Sequence, residues 1–151
     1  MSPPGAIHGS LQLRIGAALF NQGEAKGHGK AYTEVAVVLD RDPDHVFGAD
    51  AAFIAKRSLP VRESSEGYLE TTPELVVEIR SKNDTKAEIA EKVADYLKAG
   101  CVLVWTIDPE PKCVIEHRPN FEPKTYHITD ALTFDDVIPG FHLPLIELFK
   151  D

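Results

Sequence analysis

The chain has 151 residues, 43% of them apolar and 26% charged, with a formal net charge of -8. That length suits one domain with a real core, and no window reaches the roughly 18 to 20 apolar residues of a membrane span. The acidic balance argues against a broad nucleic-acid surface, which needs clustered Lys and Arg. It does not argue against a nuclease, whose site carboxylates add negative charge that a bound cation offsets locally.

The start, Met1-Ser2-Pro3-Pro4-Gly5, lacks the basic and apolar regions of a secretory leader. From Ile7 to Gln22 the apolar positions Ile7, Leu11, Ile15, Ala18 and Leu19 recur at helical spacing. Gly23, Gly27 and Gly29 then predict a flexible connection. Thr33 to Asp40 alternates into a Val-rich strand, and Asp42-Pro43-Asp44 reads as a turn. Asp50-Ala51-Ala52-Phe53-Ile54 is a second strand, with Asp50 at its start. Lys56 to Thr72 is polar and irregular, a length at which loops are often functional or mobile.

Glu74 to Arg80 forms a third strand. The helix after it is well marked: Thr85 and Glu88 form a capping box, Ile89, Val93, Tyr96 and Leu97 an apolar stripe, and Gly100 a stop. Val102 to Ile107 and Cys113 to His117 are further strands, joined at Asp108-Pro109-Glu110-Pro111. Lys124 to Ile128 can pair as another, and Leu145 to Phe149 is a short apolar tail. The order predicts an α/β fold with a mixed sheet. If Ile107 pairs with Lys112, Cys101 falls opposite Arg118, too far from Cys113 for a disulfide. The expectation is two small core cysteines in a reducing compartment, most simply the cytoplasm.

Glu78 is the informative residue. It interrupts Leu75-Val76-Val77-Glu78-Ile79, a β-branched run that reads as a strand buried on both faces. A carboxylate there costs several kcal/mol unless a cation, hydrogen-bond donors or a metal compensates. Arg80 is a poor partner, because the heads of residues i and i+2 would have to fold toward each other. Asp50 reads either as a strand-entry aspartate bonding local backbone or as a second functional acid. Lys92 has two readings as well. It can pair with Glu88 one turn earlier on the helix surface, or border the buried stripe and reach over the sheet edge toward Glu78.

Together these three point to phosphodiester chemistry. Mg²⁺ or Mn²⁺ prefers oxygen ligands, which Asp50, Glu78 and the backbone carbonyl of Ile79 can supply. A nearby lysine can position water or stabilise the phosphorane. His8 and Glu34 are peripheral candidates, with His8 also readable as a boundary histidine. The remaining histidines show no ligand spacing, which argues against zinc. Trp105 and Tyr96 read as packing.

The segments Pro73 to Ser81, Lys92 to Gly100 and Trp105 to Pro109 resemble the Uma family of putative restriction endonucleases, within the PD-(D/E)XK nuclease fold. The likeness takes in Pro3-Pro4 through His8, Asp50 to Ile54 and Ile138-Pro139-Gly140-Phe141, nearly the whole chain. It implies a restriction-endonuclease-like core, a mixed β-sheet flanked by helices, as a single domain over residues 1–151. Family members usually begin earlier, with a helix and a strand before the Pro-Pro segment. The expectation is therefore a domain without that segment, whose exposed sheet edge invites a second chain.

The resemblance implies that Asp50 and Glu78 bind the metal. The general motif places lysine two residues after the second acid, where this chain has Arg80, which stays protonated and cannot act as a base. The motif lysine of this family looks displaced onto the following helix, which maps onto Lys92. The expected function is a Mg²⁺-dependent (or Mn²⁺-dependent) endonuclease on DNA, cytoplasmic and homodimeric. The alternative is an inactive nuclease-fold domain serving as an interaction or regulatory module. A metal-free acid-base pair of Asp50 and Glu78 ranks third, since it gives Lys92 no role.

Overall fold

A computed structural model describes residues 5–151, so the predicted role of Pro3-Pro4 lies outside the described residues. Helix α1 (Ala6–Gln22) is followed by the strands β1 (Gly29–Asp40) and β2 (His45–Ala55), which form a long hairpin. Strand β3 (Leu75–Ile79), helix α2 (Lys86–Lys98) and strand β4 (Leu103–Asp108) come next, then β5 (Cys113–His117) and β6 (Lys124–Tyr126). The short β7 (Ala131–Leu132) and β8 (Leu143–Pro144) pair with each other, and α3 (Leu145–Leu148) closes the chain.

The main sheet has six strands in the order β1-β2-β3-β4-β5-β6. Every neighbouring pair is antiparallel except β3 and β4, which α2 joins by a crossover. Alternation along β3 divides its residues between two cores. Leu75, Val77 and Ile79 face the side covered by Leu11, Ile15 and Leu19 of α1 and by the C-terminal segment around Phe134, Ile138 and Phe141. Val76 faces the other side, where α2 brings Val93 and Tyr96. By the same alternation Glu78 points toward α2, and this places a carboxylate against that helix.

Several sequence expectations shift. Ile7 is 67% exposed, so the buried stripe of α1 starts at Leu11. Strand β1 begins at Gly29, because the glycine connection runs straight into the hairpin. A Cβ on Gly29 would lie 2.1 Å from the Ile54 carbonyl oxygen, so this approach requires glycine. Asp50 does not open its strand but lies in the middle of β2, since Val46 and Phe47 already pair with Val38 and Val37.

The segment 56–72 is pinned to the sheet by fully buried Leu69, whose amide donates to Ala36 and whose carbonyl accepts from Val38. Asp108 pairs with Cys113 and Ile107 with Val114, so Ile107 meets a residue two positions further along β5 than predicted. Cys101 and Cys113 are nonetheless both free and buried.

The hairpin changes face at Asp50. Phe47 and Ala49 pack on the α2 side, whereas Ala51 and Phe53 pack on the α1 side. Strict alternation would put all four on one face. The irregularity is shared by the strand opposite: the pairs run from Thr33–Ala51 to Val35–Ala49, and Glu34 between them has φ 46°. Asp50 therefore sits at a local break in the ladder, where its groups are available for other partners.

Candidate active site

Glu78 is 5% exposed and surrounded along β3 by fully buried neighbours. Its Oε1 accepts a hydrogen bond from the Tyr96 hydroxyl at 2.9 Å and lies 3.0 Å from Lys92 Nζ. Both partners come from α2, one turn apart, so a single helix face delivers a rigid and a flexible donor to one oxygen. Burial pushes the Glu78 carboxyl up to about 7; Lys92 opposes the rise, the nearby Asp50 charge adds to it, and Tyr96 also opposes it. Burial, together with the Glu78 charge, also raises Tyr96, which stays a hydrogen-bond donor.

Lys92 makes the contact its buried-edge reading predicts. Its Nζ reaches Glu78 and donates to the Gly48 carbonyl at 3.2 Å, and it lies 5.3 Å from the centre of the Phe47 ring. The surface pair with Glu88 does not form. The Glu88 amide instead donates to Thr85 Oγ1, the capping bond that starts α2.

Asp50 is held from three sides. Its Oδ2 accepts from the Ile79 amide at 2.7 Å, and Oδ1 lies 3.3 Å from His8 Nε2. Its backbone carbonyl accepts from Gln12 Nε2 at 2.9 Å. The β2–β3 ladder runs Phe53–Leu75, Ala52–Val76, Ala51–Val77 and ends there. The next position sets Asp50 across from Glu78, and the Asp50 carboxylate takes the Ile79 amide. Two acids at opposed positions repel one another, consistent with the raised Glu78.

Arg80 turns elsewhere. Its Nη1 lies 3.1 Å from Asp108 Oδ2 at the end of β4. Glu34 lies opposite Asp50 across the hairpin, exposed, lining a shallow cleft with Gly9, Gln12 and Gly16 of α1. It makes no hydrogen bond or ion pair with the central residues. A second buried acid, Glu74, shows the structural alternative. Its oxygens accept from the Ala55 amide at 2.8 Å and from the Ser58 hydroxyl, and Arg57 lies 3.4 Å away. Glu78 lacks that complete set: among the described residues no donor reaches its Oε2.

Sequence reasoning missed two members. Tyr96 read as packing, although its spacing of four from Lys92 was a signal that both reach the same point. Gln12 carried no signal, because its acceptor is a carbonyl released by a ladder break. Among the described residues no three His, Cys, Asp or Glu side chains converge. A metal here would thus rest on two carboxylates, backbone oxygen and water, the hard donor set that suits Mg²⁺. The open Oε2 of a nearly buried carboxylate fits that role.

Comparisons with known proteins agree with this architecture. The Uma2 family model, described as "Putative restriction endonuclease", matches residues 1–146. The fold is similar to that of a crystal structure described as a putative nuclease belonging to DUF820 from Anabaena variabilis ATCC 29413. The TM-score is 0.82 at 19% identity, covering 98% of this chain and 83% of that one. At that identity the likeness concerns the restriction-endonuclease-like fold. No curated protein matches the chain. With nearly its whole length matched, the chain belongs to the Uma2 family of putative restriction endonucleases.

Proposed function

We propose that this protein is a Mg²⁺-dependent endonuclease, with Mn²⁺ able to substitute, that hydrolyses phosphodiester bonds of DNA as a single-domain homodimer. The observation that carries the reading is the Lys92–Glu78 ion pair at the end of the β2–β3 ladder, where Asp50 takes the Ile79 amide and its charge is felt by Glu78. Asp50, Glu78 and the Ile79 carbonyl would hold the cation, which supplies charge neutralisation for the developing phosphorane. Lys92 presents a positive charge on a flexible stem within reach of the same point, suited to orienting water or meeting a non-bridging phosphate oxygen. His8 and Gln12 keep Asp50 in place from α1. The free, buried cysteines suit a reducing compartment such as the cytoplasm. Exposed Leu13 and Phe20, two turns apart on one face of α1, offer apolar surface for a second copy.

The test is nicking of supercoiled DNA with and without Mg²⁺. Glu78→Ala should abolish Mg²⁺-dependent nicking while leaving the circular dichroism spectrum unchanged. Equal activity in variant and parent would sink the proposal. The net charge of -8 favours a second reading, a non-catalytic module that keeps the fold. Calorimetry separates the two, because that reading predicts no Mn²⁺ site that depends on Asp50.

A further inference from the structure

We infer that Tyr96 is a positioning residue of this site: its hydroxyl pins Oε1 of Glu78, so that Oε2 is the oxygen presented to a divalent cation. The inference rests on the metal-site reading above and goes beyond it by dividing the work of holding Glu78 between two unequal donors. Lys92 and Tyr96 share one oxygen, at 3.0 and 2.9 Å. Lys92 has a four-carbon stem and a partly exposed side chain, so its head can leave Glu78 for a phosphate or a water.

Tyr96 cannot leave. Its side chain is fully buried, has two side-chain torsions before a rigid ring, and packs edge-on against Phe47 with ring centres 5.6 Å apart. The same Phe47 ring supports the Lys92 ammonium. When Lys92 turns to substrate, the tyrosine hydroxyl is the donor left to fix the carboxylate plane. A ligating carboxylate held by such an outer hydrogen bond binds metal more tightly than one free to rotate.

A buried tyrosine also needs an acceptor for its own sake, so the test must separate positioning from packing. Tyr96→Phe keeps the ring and removes only the hydroxyl. Val93→Ala, one turn away on the same helix, loosens the core without touching Glu78. Mn²⁺ binding would be followed by calorimetry and stability by thermal melting. Tyr96→Phe is expected to weaken Mn²⁺ binding by about tenfold or more. In nicking assays it should raise the metal concentration for half-maximal rate more than it lowers the rate at saturation. Val93→Ala should lower the melting temperature and leave Mn²⁺ affinity within about twofold of the parent, as expected for a packing change that removes no donor from Glu78.

Parent-like Mn²⁺ affinity in Tyr96→Phe, with binding intact in the parent, overturns the inference and leaves the metal site standing. Absence of binding in the parent overturns both. A second measurement does not need the variant to fold. With 3-fluorotyrosine in place of the four tyrosines, the fluorine resonance of Tyr96 should shift on Mg²⁺ saturation. A resonance that stays put also overturns the inference.

Discussion

Lys92 Nζ stands 3.0 Å from Glu78 Oε1, tying the crossover helix to the strand it follows. The pair sets a cation on a carboxylate that the fold has nearly removed from water. Its consequence is asymmetric: Lys92 keeps some exposure, while Glu78 depends on its partners.

Replacing Lys92 with Met removes the cation and keeps the stem. Without it the Glu78 carboxyl should rise further, and the cost should appear above neutral pH, where Glu78 would have to stand charged with only the Tyr96 hydroxyl as partner. We expect a loss of about 2 kcal/mol at pH 8 and a smaller loss at pH 5, read from denaturant melts. Nicking should fall by about a hundredfold or more if Lys92 stabilises the transition state. A parent-like rate would remove Lys92 from the mechanism.

The raised Glu78 makes stability depend on pH in a defined direction. Its ordinary value is 4.5, and burial moves it up to about 7 in the folded chain. Between those values the unfolded chain has released this proton and the folded one retains it. The contribution of Glu78 to stability therefore declines as pH rises through this window and levels off above about 7. The full change is on the order of 3 kcal/mol. Glu78→Gln cannot titrate, so its stability should gain on the parent across the same range. Parallel curves for the two proteins would contradict the shift.

Arg80 occupies the position of the general motif lysine yet is paired with Asp108. Arg80→Lys should change nicking by less than about threefold and stability by less than about 1 kcal/mol, as for a partly exposed ion pair. The double variant Arg80→Lys with Lys92→Met should stay as slow as Lys92→Met alone. Recovery of activity in the double variant would show that the motif position can still serve.

His8 and Gln12 hold Asp50 from α1. Alanine at His8 should weaken Mn²⁺ binding by about tenfold, as for other outer partners of metal ligands. Glu34→Gly should leave Mn²⁺ binding unchanged, and it should not destabilise the fold, because φ 46° suits glycine better than glutamate. A large loss of binding in Glu34→Gly would place that residue inside the site.

Much of the fold was legible because its signals are local. Pro73, the apolar run Leu75 to Ile79, the Thr85 cap and Gly100 mark β3 and α2 within a few residues of one another, and each mark acts through backbone chemistry at short range. Glu78 was legible for a related reason, since a charge in an apolar run violates a local rule and demands a partner. The hairpin was read less well. The start of β1 at Gly29 and the interior position of Asp50 depend on strand pairing, and a run such as Phe47-Gly48-Ala49 looks like a turn until a neighbouring strand claims it.

The sequence by itself thus determined the α/β order, the costly acid and the short set of residues able to answer it. Only the tertiary structure decided which residue answered. The crossover from β3 through α2 to β4 turns Lys92 and Tyr96 onto Glu78 and leaves Arg80 to Asp108, and the ladder break at Asp50 frees its carboxylate for the Ile79 amide. Those choices rest on contacts between segments distant along the chain, and no local pattern encodes which of several donors a buried carboxylate will meet.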